Sequence, residues 1–163
     1  MTSSETETAR PRVLIVYYTY TQQSKLVAES MAEALRARGC EVSQASIGFP
    51  DERWAERFTR FPLKHAWRDV LGMLPAQLRG ATGEIEIPEE ARQGDYDLVV
   101  IGSPTWFFRQ SIPIRSFLKS DEAKRVLDGT RFAAFVVCRR YWRQNLKSVR
   151  EAGGKLGGSF TPR

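Results

Sequence analysis

Residues Val13 to Glu29 read VLIVYYTYTQQSKLVAE. An apolar run, Val13-Leu14-Ile15-Val16, ends in two tyrosines and passes into Thr19-Tyr20-Thr21-Gln22-Gln23-Ser24, from which an amphipathic pattern continues directly. A buried strand that feeds a helix through a short hydroxyl-rich turn can form a phosphate cradle. The first N–H groups of such a helix have no intrahelical acceptor and carry partial positive charge, and hydroxyls at alternate positions add donors. The turn would hold a phosphate monoester without any lysine or arginine. The same residues also serve as a capped connection in any α/β protein, and the turn alone does not choose between the two.

Two other segments place hydroxyl or aromatic residues directly after apolar runs. Leu98-Val99-Val100-Ile101-Gly102 is followed by Ser103-Pro104-Thr105-Trp106-Phe107-Phe108, and Phe132 to Val137 by Cys138-Arg139-Arg140-Tyr141-Trp142. The elements that would position these loops alternate. Val27, Met31 and Leu35 recur four apart beside Ala28 and Ala32, which predicts a helix from Gln22 to Arg38 ended by Gly39. Glu41 to Ile47 reads as a polar edge strand, whereas Leu98 to Gly102 and Phe132 to Val137 suit the inside of a parallel sheet. Further helices are predicted at Ser111 to Lys119, Ser120 to Leu127 and Arg139 to Ala152. Pro62 and Pro75 divide the long segment Gly48 to Gly94 into short helices, with Thr82 to Asp95 as a connecting loop.

This alternation predicts a parallel three-layer α/β/α sandwich. Ligands of open parallel sheets bind beyond the carboxyl ends of the strands, where the strand order reverses. One hydroxyl-rich loop would then face two aromatic-rich loops on a single rim. A ligand with a phosphate at one end and a flat ring at the other satisfies all three loops, and flavin mononucleotide (FMN) is such a ligand.

The Thr-x-Thr-x-x-Ser turn, together with Tyr96-Asp97 and Gly102-Ser103-Pro104-Thr105-Trp106, resembles the two FMN-binding loops of the flavodoxin-like superfamily. The resemblance runs from Arg12 to Val149, with the strands in matching order. Within the superfamily the chain is most similar to bacterial NAD(P)H-dependent FMN oxidoreductases, and more loosely to flavodoxin-like proteins of dialkylresorcinol and aryl-polyene clusters. The resemblance implies FMN as cofactor, NAD(P)H as electron donor, and a quinone-like or aromatic small molecule as acceptor. By the same resemblance Thr19, Thr21 and Ser24 hold the phosphate, with Gln22 and Gln23 in the turn between them. Ser103 and Pro104 lead into Thr105, Trp106 and Phe107, which flank the isoalloxazine. Cys138, Arg139 and Tyr141, in the loop Cys138 to Trp142, close its other side. No catalytic residue is identified. A flavodoxin-like accessory subunit without flavin, or a one-electron carrier, are the alternatives, and a sequence pI near 9.6 counts against a carrier with an acidic docking face.

Two departures from the family pattern carry expectations of their own. The phosphate loop usually has Gly where this chain has Gln22; a non-glycine loop is expected to bind phosphate still if its backbone stays in the α region, the substitution bearing on affinity more than on capacity. Flavodoxin-like sheets have five strands in the order 2-1-3-4-5, yet no apolar run follows Val137. The expected sheet order is therefore 2-1-3-4, with residues 12–163 forming a domain that lacks its fifth strand or borrows it from another chain. An uncovered fourth strand would favour a homodimer.

Composition sets the remaining bounds. A chain of 163 residues with 42% hydrophobic residues is expected to form one domain with a substantial core. No apolar run approaches the roughly 20 residues of a membrane span. Residues 1–11 read as a disordered tail without the apolar segment of a signal peptide, so the cytoplasm is the expected compartment. Cys40 and Cys138 make neither a disulfide framework nor a zinc site, and no metal or nucleic-acid partner is expected. The net charge is +6, and from Lys124 onward ten basic residues face only Asp128 and Glu151. That imbalance suits an anionic partner or a solvated basic face. Cys138 is expected to pack as a small buried residue or to act as a thiol beside the flavin, and His65 to sit exposed on a helix or to donate a proton. Arg139, Arg143, Lys147 and Arg150 form one helical stripe, solvated or open to a dinucleotide phosphate or an acidic redox partner. Trp54, Phe58, Phe61 and Trp67 are expected in the core. The alternative is a membrane-facing helix interleaved with Arg53, Arg57, Arg60, Lys64 and Arg68.

Overall fold

Five parallel strands and a short antiparallel one order the chain into three layers in the computed structural model, which describes residues 9–54 and 65–161. In chain order the elements are β1 (Arg12–Tyr17), α1 (Gln23–Arg36), β2 (Glu41–Ser46), α2 (Ala66–Leu78), a 3-10 turn (Glu89–Ala91), β3 (Leu98–Trp106), β4 (Arg109–Gln110), α3 (Ile112–Phe117), α4 (Asp121–Leu127), β5 (Arg131–Val137), α5 (Trp142–Lys155) and β6 (Ser159–Phe160). The sheet order is β2-β1-β3-β5-β6, with β4 turned back on the end of β3. The expected order of the first four long strands, 2-1-3-4, is therefore present, and polar β2 lies at the edge.

Strand β1 is apolar on both faces because it is covered on both. Leu14 and Val16 join Val99, Ile101 and Phe132 in a core closed by Ile114, Phe117, Val126, Leu127 and Val149 of α3, α4 and α5. Val13, Ile15 and Tyr17 face the other way, with Val100, onto Ala28 and Ala32 of α1. The alanines bring α1 close to the sheet, and the strand period of two assigns successive residues to opposite cores. β1 lies between β2 and β3, so the strand order reverses beside its carboxyl end.

The fifth strand is present. Ser159 and Phe160 run parallel to Arg131 and Phe132, with the Ser159 N–H donating to the Thr130 carbonyl at 2.9 Å and Thr161 N–H to Phe132 at 2.8 Å. Phe160 meets the Phe132 ring edge-on at 5.2 Å, and the Arg150 guanidinium lies 5.3 Å from the Phe160 ring centre. Two residues between a glycine-rich segment and a threonine make no apolar run, so the sequence pattern does not reveal them. Gly153 and Gly158 have a packing reason: a Cβ at either would come within 2.6 and 2.8 Å of the Phe132 ring.

Other boundaries differ in detail. Pro75 was expected to end a helix and instead sits inside α2, where the Arg79 N–H still bonds its carbonyl at 3.1 Å. Of the expected tail, residues 1–8 lie outside the described residues, and the Pro11 carbonyl already accepts from Glu41 N–H at 2.9 Å. Trp54 is buried beside Met73 and Ile112. Phe58 and Phe61 lie outside the described residues, as do Arg57, Arg60 and Lys64. Among the described residues no helix is long and apolar enough to cross a membrane.

Candidate functional site

The register sets three strand ends side by side. Tyr17 pairs with Gly102, and Gly102, Ser103 and Pro104 pair with Phe135, Val136 and Val137. The loops that follow β1, β3 and β5 therefore emerge along one rim, as the parallel pattern requires.

Between β1 and α1 the chain reverses within five residues. Gln22 completes the turn as the N-cap of α1, with φ 65° and ψ −5°, in the left-handed region. The α-region backbone considered for Gln22 is thus corrected: Gln22 takes the positive φ that glycine adopts freely, which for a non-glycine residue costs about 1–2 kcal/mol. The Gln22 side chain caps nothing, and no acidic residue lies in the first turn. The first helical bond runs from Leu26 N–H to the Gln22 carbonyl at 3.1 Å, so the N–H groups of Gln23, Ser24 and Lys25 precede the helical ladder. The Thr19 hydroxyl is buried, with no hydrogen-bond partner among the described residues. Ser24 is 2% exposed at the base of the turn, and Thr21 and Gln23 are open at its mouth. A phosphate group fits this set of donors, because it would satisfy an orphaned hydroxyl and the helix N–H groups together.

The aromatic side of the rim is a hairpin. β3 runs to Trp106 and returns through Phe107 and Phe108 into β4, with Trp106 paired to Arg109. Such a two-residue loop demands positive φ, and Phe107 has φ 60°. The Trp106 ring is edge-on to Tyr18 at 5.6 Å and to Phe49 at 6.2 Å. Tyr18 directly precedes Thr19, so one ring contact separates the phosphate turn from the hairpin. Burial pushes the Tyr18 phenol well above its usual pKa, with Tyr20 adding to the effect, so Tyr18 stays protonated. Phe107 packs against the Trp54, Met73 and Ile112 cluster. Phe108 is exposed and meets Tyr141 at 4.6 Å, which joins the hairpin to the β5–α5 loop. Tyr141 is the N-cap of α5, again left-handed at φ 65°.

Most polar groups on this side are used within the fold, although Ser111 Oγ and Asn145 Oδ1 are buried with no partner among the described residues. Ser103 is fully buried; its hydroxyl donates to the Pro104 carbonyl at 3.0 Å and accepts from Ser111 N–H at 3.2 Å. Asn145 Nδ2 donates to Thr105 Oγ1 at 2.9 Å and to the Ser103 carbonyl at 3.4 Å. Gln77 Nε2 donates to the Trp106 carbonyl at 2.9 Å. Cys138 and Arg139 are exposed, which overturns the buried packing expected for Cys138; it follows the last residue of β5 and already belongs to the loop. His65 is exposed at the start of α2, as expected.

Sequence reasoning missed Phe108, Tyr18, Phe49 and Asn145. Phe108 stood in the same aromatic run as Phe107. Asn145 is four residues before the core residue Val149, and a polar residue on the buried stripe of a helix is a readable sign of an internal hydrogen bond. Phe49 carried no local sign. Among the described residues four non-glycine residues have positive φ, and three of them, Gln22, Phe107 and Tyr141, fall one in each rim loop. Strain of this kind persists where the surroundings enforce it, and it gathers at binding sites.

No family model matches the sequence, and no curated protein matches it. In three dimensions the chain is similar to a flavoprotein in complex with FMN from Lactobacillus acidophilus NCFM, at 19% identity and a TM-score of 0.67, over 93% of this chain and 90% of that one. It is similar as well to a flavodoxin from the domain Archaea, at 12% identity and a TM-score of 0.56, over 93% and 79% of the two chains. Oxidised flavodoxin 1 from Bacillus cereus gives 13% identity and a TM-score of 0.56, over 93% and 80%. Together with the strand order and the helices on both faces of the sheet, these likenesses establish that the chain has the flavodoxin-like α/β fold.

Proposed function

We propose that the protein binds FMN along the rim of β1, β3 and β5 and moves electrons from NAD(P)H to a quinone-like or aromatic acceptor. The observation that carries this reading is the orphaned Thr19 hydroxyl beside the unpaired N–H groups of α1, set one aromatic contact away from the Trp106 hairpin. The likeness in fold to a flavoprotein in complex with FMN supports it. Thr19, Thr21, Ser24 and the N–H groups of Gln23 and Ser24 would hold the phosphate, with Gln22 setting the turn. Thr105, Trp106, Phe107, Phe108 and Tyr141 would border the ring system, held in place from behind by Asn145 and Gln77. FMN, when bound, supplies the hydride and electron transfer, and the protein orients it and excludes water. Exposed Arg139 and Arg143, next to Tyr141, would attract the phosphates of a nicotinamide dinucleotide.

Fluorescence titration with FMN tests the reading. Thr21→Ala combined with Ser24→Ala removes two hydroxyl donors to a charged group, each contributing about 1.5–3 kcal/mol, so affinity should fall at least about tenfold. Equal affinity in the variant would move the site elsewhere. Oxidation of NAD(P)H by a quinone with the FMN-loaded protein tests the direction of electron flow. Flavin binding without that activity favours a one-electron carrier, and failure to bind FMN favours an accessory subunit.

A further inference from the structure

Away from the phosphate turn, a cleft of about 720 Å³ opens between β4, α3, α5 and the end of α2. Its floor includes Leu118, Ala152 and Leu156, and its walls carry Arg109, Arg115, Lys119, Lys147 and Lys155. Among the described residues one carboxylate, Glu151, lines it, and that group already lies 3.8 Å from Lys147. Five cations against one anion would be unremarkable on an open solvated face. Arg115, however, is only 5% exposed. Its Nη1 donates to the Ala81 carbonyl at 3.1 Å and its Nη2 to Gln77 Oε1, both neutral acceptors. No carboxylate among the described residues pairs with it. Burial, and next to that the nearby Arg109, pull its pKa down to about 10, so it is still charged at neutral pH.

A buried guanidinium facing a second cation without a counter-charge is costly, and an anion in the cleft offsets that cost. A further polar group points the same way. Gln110 is buried, its Oε1 accepts from the Ser148 hydroxyl, its backbone N–H donates to that hydroxyl at 3.4 Å, and its Nε2 donates to no described residue. Charged and amide donors around an apolar floor are complementary to oxyanions and not to cations. The volume suits a molecule of nucleotide size.

We infer that this cleft, which adjoins the aromatic end of the rim at Phe108 but lies apart from the phosphate turn, is a second binding site for a small organic molecule carrying two or more anionic oxygens as phosphate or carboxylate groups. Arg109 would take the charge in forked hydrogen bonds, Arg115 would add its charge from beneath, and the lysines would close over it.

Calorimetric titration with inorganic pyrophosphate and with citrate, each with and without saturating FMN, tests the inference and separates the two oxyanion chemistries. Arg109→Gln with Lys155→Gln changes two exposed positions at the mouth and leaves buried Arg115 in place, so folding should be retained and is checked by circular dichroism. Wild-type protein should bind at least one probe saturably. The cleft variant should bind it at least about tenfold more weakly while its FMN affinity is unchanged. The rim variant Thr21→Ala with Ser24→Ala should keep the wild-type affinity for the probe. Equal binding by wild type and cleft variant, saturable binding of neither probe, or loss only in the rim variant would each overturn the inference. The last result would place the anion in the phosphate turn and leave the flavin reading intact.

Discussion

Gln22 and Phe107 both hold left-handed backbone, at φ 65° and 60°, but the loops around them treat their polar groups in opposite ways. At the β1–α1 turn the donors are left over: the Thr19 hydroxyl is buried with no partner among the described residues, and the first helix N–H groups precede the ladder. At the β3 and β5 ends Ser103, Thr105 and the Trp106 carbonyl are bonded within the protein, and what faces outward is aromatic. On the proposed reading, a charged group would complete one end of the rim, and a flat apolar face, bound through area and ring geometry rather than through hydrogen bonds, would complete the other. The difference supports placing phosphate and ring at opposite ends.

The largest test strikes both ends together. Gly102 lies under the rim, and a Cβ there would come within 2.2 Å of the Phe135 ring and 2.7 Å of Tyr17 Cβ. Because Tyr17 Cβ moves only with the backbone, Gly102→Ala should cost about 2–3 kcal/mol, or about 4–12 °C in thermal midpoint. An unchanged melting curve would mean that the sheet beneath the site yields easily.

Acid should loosen the aromatic end first. Asp51, two residues after Phe49, accepts from the Arg53 guanidinium at 2.6 and 2.9 Å and from the N–H groups of Arg53 and Glu84. These bonds, the Arg53 side chain foremost, hold its carboxyl down to about 2 from an ordinary 3.8. The folded pKa is the lower one. The stabilisation, about 1–2 kcal/mol, is therefore complete above about pH 4 and lost as the pH falls toward 2. Denaturant midpoints measured across that window should decline in the wild type and flatten in Asp51→Asn; parallel curves would remove Asp51 from the account.

Thr19→Val separates binding from structure by sign. Loss of a buried unsatisfied hydroxyl should stabilise the ligand-free protein by about 1 kcal/mol, while FMN affinity should fall about tenfold. A hydroxyl that serves only the fold would move stability down and leave affinity alone. The smallest effect is expected at Gln22. Gln22→Gly relieves the left-handed strain but adds unfolded-state entropy, so a net gain under about 1 kcal/mol should appear as a rise of a few degrees in melting temperature. A loss of stability would show that the Gln22 side chain makes a contact that offsets the strain.

Much of the framework was legible in the residues. The apolar runs of β1, β3 and β5, the four-residue spacing of α1 and the polar character of β2 are local periodicities, and a single element's pattern reports which faces it buries. The three rim loops follow from parallel strands alone, so Thr19, Thr21, Ser24, Trp106, Phe107 and Tyr141 could be named in advance. Local pattern did not carry β6, whose two residues act as a strand only because Phe160 finds Phe132. Nor did it carry the left-handed backbone at Gln22, the Phe108–Tyr141 pair, the buried and uncompensated Arg115, or the Asn145 bridge to Thr105. Each of these is a property of groups far apart in the chain, since burial and hydrogen-bond satisfaction depend on what the rest of the fold brings alongside. Periodicity determined which residues line the sheet, and tertiary packing alone decided which polar groups were left without partners.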